Sequence, residues 1–203
     1  MSQNLSMLEM ARKMGEAFGA QTLHGFGEFD RYPMGLLEFT IEAEICRFNP
    51  GVAPIKHPLE GHHCLSLLIL PTSRKRSVAL VIPFGTSGAP QPLLSFFERV
   101  DQLKARATAQ PEKRGLIGKI WDLMQGCTTL GRQKVYVGQI ADPFFTIALQ
   151  ETKHGLRLYI RSSLRIGDDR QMIYLPWNTY ERLKTLVEDW AEQFPSSDTS
   201  SAP

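Results

Sequence analysis

Six consecutive residues in the last third of the chain alternate strictly between apolar side chains and charged or hydroxyl-bearing ones. The apolar members are Leu156, Leu158 and Ile160, and the others are Arg157, Tyr159 and Arg161. Successive side chains of a β-strand point to opposite faces, so the run predicts a strand with one dry face and one cationic, aromatic face. The second face suits a single-stranded nucleic acid, which needs charge for its phosphates and rings for its bases. The alternative is an ordinary sheet that turns its long polar side chains outward.

Strand-like and helix-like segments follow one another in the same order in both halves of the chain. The first half predicts strands at 22–29, 36–46, 63–70 and 77–84 and then a helix at 93–107. The second half predicts strands at 134–140, 144–150, 156–162 and 171–175, and then a helix that starts near Asn178. A further helix is predicted at 4–18, where apolar residues recur at helical spacing, and a short one at 116–124.

This order predicts an α+β fold of two ββββα repeats, with antiparallel curved sheets each backed by a helix, plus the N-terminal helix. The predicted units are the N-terminal helix 1–20, a first repeat 21–107, a connector 108–131, a second repeat 132–194 and a disordered tail 195–203. Sequence identity between the halves is low, so the repeat rests on the order of the elements. The alternative is two unrelated halves, each of a sheet and a helix.

Bulk properties exclude some classes of protein. The chain of 203 residues is 42% hydrophobic, which fits a folded domain with a core, and its net charge of +2 is below that of a dedicated duplex binder. Three cysteines are too few for a disulfide framework and favour a reducing compartment, hence a cytoplasmic location or, as alternatives, a nucleoid or nuclear one. No secretory signal is evident, and no apolar run of about eighteen residues predicts a membrane span.

Four antiparallel strands plus a helix, used twice, resembles the fold shared by the Pur-alpha and Whirly single-stranded nucleic-acid-binding proteins. The second half looks most like a Pur repeat, and the segments that carry the resemblance are 133–137, 154–160 and 169–176. The first half matches in outline only, because its second strand presents Glu38, Glu42 and Glu44, which would repel phosphates. Neither half of the sequence contains the Lys-Gly-Lys signature of plant Whirly proteins. The resemblance implies that the second repeat is the main binder and that the first is structural or pairs with another subunit.

The predicted binding surface is the solvent face of the second sheet. Its candidate nucleic-acid-binding residues are Lys134, Tyr136, Lys153, Arg157, Tyr159, Arg161 and Arg170, and Thr146 is predicted on the same face. Arg132 and Arg165 are placed at its margins. A groove of this kind follows a nucleic-acid backbone and stacks bases on its rings.

The other candidate functional residues do not predict a specific site. The basic run at 74–76 is typical of a solvated hairpin tip, although it could hold phosphates or serve as a targeting signal. His57, His62, His63, Cys46 and Cys64 do not match the paired spacing of zinc ligands, so we expect no metal. No phosphate loop, dinucleotide fingerprint or nucleophile elbow is present, so we expect neither a cofactor nor catalytic residues.

The sequence therefore predicts a non-catalytic protein that binds single-stranded DNA or RNA. The alternative is a protein-interaction adaptor or a small chaperone module, suggested by the N-terminal helix, the acidic strand 36–46 and the segment around Trp121. A homo-oligomer and a protein partner bound through the N-terminal helix are further candidates, because apolar residues on that helix and on the connector exceed what two small cores need. No membrane partner is expected.

Overall fold

The computed structural model describes residues 20–34, 37–48, 59–71, 77–113, 115–140, 143–166 and 169–194. The strands are β1 (Ala20–Met34), β2 (Leu37–Phe48), β3 (His63–Pro71), β4 (Ser77–Gly85), β5 (Cys127–Val135), β6 (Phe145–Thr152), β7 (Gly155–Ile166) and β8 (Asp169–Pro176). The helices are α1 (Gln91–Ala109), α2 (Leu116–Met124) and α3 (Trp177–Ala191). The predicted helix 4–18, the tail 195–203 and the basic run 74–76 lie outside the described residues. Within them, no helix has the length and apolarity needed to cross a membrane.

Two antiparallel sheets of four strands form the framework, in the orders β1-β2-β3-β4 and β5-β6-β7-β8. A helix follows each sheet, so the predicted α+β fold of two ββββα units is confirmed for the described residues. The sheets meet where β4 lies beside β8, and there the Val81 N–H donates to Gln171 Oε1 at 3.1 Å.

The first strand of the second sheet is displaced from its predicted position. We expected a strand at 134–140, whereas β5 runs from Cys127 to Val135. Gly138 has a φ of 59°, a left-handed conformation that turns the chain and prevents the strand from continuing. Within β5, Gly131 lets the strand pass close to α1, because a Cβ atom there would lie 2.8 Å from the Cβ of Ala107.

The two halves share one hydrophobic core. The helices α1 and α3 each turn an apolar stripe inward, with buried residues Leu93, Phe96, Phe97, Val100 and Leu103 on α1 and Tyr180, Leu183, Val187 and Trp190 on α3. The helix α1 follows the first sheet but packs mainly on β5 and β6 of the second, while α3 follows the second sheet and also packs on β1. Each large apolar side chain buried in this way stabilises the fold by about 1.5–3 kcal/mol.

Polar contacts join the same helices across the core. The Tyr180 hydroxyl lies 2.9 Å from Asp101 Oδ1 and 3.1 Å from the Phe97 carbonyl oxygen. Burial, and then the Asp101 carboxylate, raise the pKa of Tyr180 above its ordinary value. At the edge of the first sheet, Asp30 of β1 accepts a hydrogen bond from Thr179 and pairs with Arg182 at 3.2 Å. Because α1 packs mainly on the second sheet and α3 packs on both sheets, the two repeats form one folding unit.

Candidate nucleic-acid interface

The strand β7 has the two faces that its sequence predicts. Leu158 and Ile160 are 0% and 2% exposed and lie in the shared core, whereas Arg157, Tyr159 and Arg161 point to the opposite face. We call that opposite side of the second sheet the outer face. Its cross-strand neighbours follow from the register: Gln150 and Pro176 flank Arg157, Ala148 and Tyr174 flank Tyr159, and Thr146 and Met172 flank Arg161.

Two tyrosine rings and a guanidinium form the centre of the outer face. The rings of Tyr159 and Tyr174 have centroids 5.0 Å apart and are tilted by 37°, and the guanidinium of Arg157 lies 4.5 Å from the centroid of Tyr174. The Nε–H of Arg157 also donates to Gln150 Oε1 at 2.9 Å. Burial, and then the neighbouring Tyr159, raise the pKa of the Tyr174 hydroxyl, although Arg157 opposes this shift. Hence Tyr174 presents a neutral ring at physiological pH.

A cavity of about 420 Å³ opens on this face. Its floor is the sheet and one wall is the helix α2, with lining residues Trp121, Asp122, Gln125, Thr129, Arg132, Ala148, Gln150, Tyr159, Arg161, Met172 and Tyr174. Cavities of this size hold small ligands, and here the lining combines three aromatic rings with two guanidinium groups. The cavity can therefore accept a flat ring and an anionic group together.

The wall helix is held in place by a buried carboxylate. Asp122 is 6% exposed and accepts hydrogen bonds from the backbone N–H of Thr129 at 3.0 Å and from its hydroxyl at 2.9 Å. These bonds tie α2 to β5 and occupy the one carboxylate that lines the cavity among the described residues. Trp121, next to it on the helix, stays 57% exposed beside the cavity.

Lys134 and Tyr136 gather at one end of the sheet, away from the cavity lining. The Lys134 Nζ atom lies 4.4 Å from the centroid of the Phe144 ring, and the Tyr136 ring is 6.2 Å from the same ring. Lys134 shares a register row with Thr146 and Arg161, but Tyr136 follows the last residue of β5, so it does not lie on the sheet as predicted. Tyr136 is 42% exposed, and its carbonyl accepts from Arg99 Nη1 at 3.2 Å.

The other predicted residues lie at the margins. Lys153 is exposed in the turn between β6 and β7, at the end of the sheet opposite Tyr136. Thr146 lies on the outer face but is only 9% exposed, so it offers little surface to a ligand. Arg170 lies in β8, and its side chain, like that of Arg165, is outside the described residues.

Sequence reasoning missed several residues of the cavity. Tyr174 and Met172 alternate with Ile173 and Leu175, so the alternation that identified β7 could have placed them on the same face. Trp121 had no comparable signal, because its position beside the sheet depends on how α2 docks. Within the described ranges, no group of three or more His, Cys, Asp or Glu residues is arranged to hold a metal ion.

Comparisons with known proteins add little to this geometry. No protein-family model matches the chain, and no curated protein matches it significantly. Among solved structures, the plant transcriptional regulator PBF-2 is similar over 80% of this chain and 88% of its own, with 11% sequence identity and a TM-score of 0.27. A similarity this weak carries no argument about function, and the resemblance to the Pur-alpha and Whirly proteins stays a prediction.

Proposed function

We propose that the protein binds single-stranded DNA or RNA on the outer face of the second sheet and performs no catalysis. The observation that carries the proposal is the stack of Arg157, Tyr174 and Tyr159 beside an open cavity. Bases stack on exposed rings without regard to sequence, and guanidinium groups bind phosphates by charge and by paired hydrogen bonds. The cytoplasmic location predicted above belongs to the same proposal.

The positions of the cations support a path for an extended strand. Lys153 marks one end of the second sheet, Arg157 and Arg161 lie along β7, and Lys134 with Phe144 marks the other end. The eight register pairs of β5 and β6 correspond to about 26 Å at 3.3 Å per residue. This length suits a short stretch of nucleotides, comparable to the roughly 4–16 that one small single-strand-binding domain covers.

Preorganisation also supports the proposal. Gln150 holds the guanidinium of Arg157 over Tyr174, so the ring and the charge need little reordering when a ligand binds. The carboxylate of Asp122 accepts two hydrogen bonds from Thr129, which reduces its repulsion of phosphates.

The test is a fluorescence anisotropy titration with labelled dT20, U20 and a 20-base-pair duplex. We expect both single strands to bind more tightly than the duplex. Tyr159→Ala should weaken single-strand binding roughly 5- to 150-fold, because one lost stacking ring costs about 1–3 kcal/mol. Phe194→Ala, which removes another exposed ring at the end of α3, is the matched control and should bind like the wild type.

A salt series separates this proposal from a protein-interaction module. Arg161→Ala should reduce the slope of log K against log salt by about 0.7, the value for one lost phosphate contact on a single strand. An apolar partner surface would show no such slope. Failure of the wild type to bind either single strand, or unchanged binding by both Tyr159→Ala and Arg161→Ala, would refute the proposal.

A further inference from the structure

The helix α2 is amphipathic in the reverse of the usual sense. Its one buried residue is Asp122, while its large apolar side chains face solvent. These are Leu116 (75% exposed), Ile117 (85%), Ile120 (51%), Trp121 (57%), Leu123 (81%) and Met124 (76%). By contrast, α1 and α3 bury their apolar stripes. A helix that turns its aspartate inward and its leucines outward presents an apolar surface that no other part of the described residues covers, and surfaces of this kind mark interaction sites.

The exposed side chains form one continuous surface. At 3.6 residues per turn they fall within an arc of about 160° around the helix, and the centre of that arc lies directly opposite Asp122. We call these six side chains the apolar arc. Only Trp121, at one border, also lines the cavity, so most of the arc faces away from the candidate nucleic-acid interface.

The area of the apolar arc matches half of a stable protein interface. Taking about 200 Å² for each large apolar side chain, the exposed fractions amount to roughly 850 Å². A standard complex buries about 800 Å² on each partner, whereas the largest apolar patch on a typical monomer is about 300–600 Å².

We propose that the apolar arc is the contact surface of a homodimer, in which α2 of one copy packs antiparallel against α2 of a second copy. A two-fold interface is formed by the same patch on both subunits, and an arc without charged residues is complementary to itself. Leu116 of one copy then lies near Met124 of the other, with Ile120 close to the symmetry axis.

The charges at the ends of α2 favour the antiparallel arrangement. The first turn carries no acidic residue and the last turn carries no basic one, so the residues of the helix itself compensate neither end of its dipole. Lys113 and Lys119 lie exposed at and near the N-terminal end, which is unfavourable in the isolated helix. An antiparallel second copy brings its C-terminal carbonyl groups toward Lys113 and its own lysines toward the opposite end.

The first experiment is sedimentation velocity of the full chain between 1 and 100 µM without nucleic acid. We expect a concentration-dependent dimer. The double variant Ile117→Glu with Leu123→Glu should shift the protein to a monomer, because both side chains are more than four-fifths exposed and can accept a carboxylate without unfolding. Leu23→Glu, which changes a 47% exposed residue of β1, is the control and should leave the dimer intact.

The second experiment tests the orientation by oxidative cross-linking. An equimolar mixture of Leu116→Cys and Met124→Cys chains should yield a cross-linked dimer, whereas each variant alone should yield little. The native cysteines are buried and should not interfere. Strong cross-linking of each variant with itself would contradict the antiparallel arrangement.

Three results would overturn the proposal. They are a wild type that stays monomeric at 100 µM, a dimer that survives the double glutamate variant, and a monomer that binds lipid vesicles of phosphatidylglycerol through the apolar arc. Because the sedimentation experiment contains no nucleic acid, its outcome is independent of the proposed binding activity.

Discussion

The third strands of the two sheets occupy equivalent places in the topology but carry opposite surfaces. On β7 the outward residues are Arg157, Tyr159 and Arg161, which are half-buried and reach a cavity or its rim. On β3 the corresponding residues are Cys64, Ser66 and Leu68, which are 0%, 4% and 2% exposed. The inward residues of both strands are leucine and isoleucine and lie in the same core.

The neighbouring strands repeat the contrast. On β2, Glu44 lies opposite Ser66, and Glu42 lies opposite Leu68. Cys46 lies opposite Cys64, and these two cysteines form a small separate apolar cluster with Val81. At the same depth in the second sheet, β6 places only the neutral residues Thr146, Ala148 and Gln150. A single topology thus supports a closed, partly acidic face and an open, cationic one, because alternate positions of a strand can change without disturbing the core.

The largest expected effect comes from moving a charge onto the closed face. Cys64→Arg should lower the free energy of unfolding by at least about 4 kcal/mol, because a guanidinium cannot lose its charge and would be buried beside Cys46 and Val81. The reciprocal change Arg157→Ala should cost no more than about 1.5 kcal/mol, since it removes one hydrogen bond from a half-exposed side chain. Urea denaturation followed by tryptophan fluorescence measures both.

Cys64→Ala is the control for loss of the thiol and should cost less than half as much as Cys64→Arg. If Cys64→Arg unfolded at the same urea concentration as the wild type, the result would contradict the burial of Cys64 on the outward side of the first sheet.

The next effect concerns nucleic-acid binding and sharpens the contrast in charge. Arg161→Glu should weaken binding to dT20 at least tenfold, whereas Glu44→Lys should change it less than twofold. Both variants change the net charge by two, but at 150 mM salt a surface charge acts over only about 8 Å, so its position decides the effect. Equal and opposite changes in affinity would mean that net charge, and not the second sheet, determines binding.

The smallest effect is a pH dependence of the free energy of unfolding, which we expect from Cys46 in the first sheet. The hydrogen bond with Cys64, and then burial, raise the pKa of the Cys46 thiol well above its ordinary value. The folded protein therefore holds this proton more tightly than the unfolded chain does. The stability that this pKa difference contributes is fully present below about pH 8.5, the ordinary pKa of a thiol. It is lost as the pH rises toward the pKa of Cys46 in the folded protein, by at most about 1.4 kcal/mol per pH unit.

Urea denaturation at intervals from pH 7.5 to pH 10 measures this loss. Cys46→Ala should show a shallower decline than the wild type, while Val81→Ala, in the same cluster but without a titratable group, should be less stable at every pH with an unchanged slope. If the free energy of unfolding fell equally with pH for Cys46→Ala and for the wild type, the Cys46 thiol would not be the cause of the decline.

Much of the fold follows from local patterns in the sequence. Alternation in β7 depends only on the backbone period, so its inward Leu158 and Ile160 were predicted, and helical spacing likewise predicted a helix at 93–107 and another that starts near Asn178. The bounds of α2 were predicted as 116–124 and its surplus of apolar residues was expected, but the inward position of Asp122 was not. The helix α3 shows the limit of capping patterns: Asn178 looks like an N-cap, but the helix begins at Trp177 and Pro176 takes the cap position.

The composition of the site was less predictable, because it depends on which strands end together and on how α2 docks. Lys134 and Tyr136 continue an alternating pattern, but the chain turns at Gly138 and Tyr136 lies beyond the sheet. Trp121 lies beside the cavity because the hydrogen bonds between Asp122 and Thr129 hold α2 against β5. No local sequence pattern predicts that contact. Arg157, Tyr159 and Arg161 were predicted together because they share one strand and one face.

The packing of α3 on β1 has a consequence for synthesis on the ribosome. Because β1 is synthesised well before α3, the first half emerges about a hundred residues ahead of a helix against which it packs. During that interval the apolar side of the early sheet is open to chaperones or to premature pairing with another nascent chain. The gene is therefore a poor candidate for division into two independently expressed pieces, while pieces produced together should find each other.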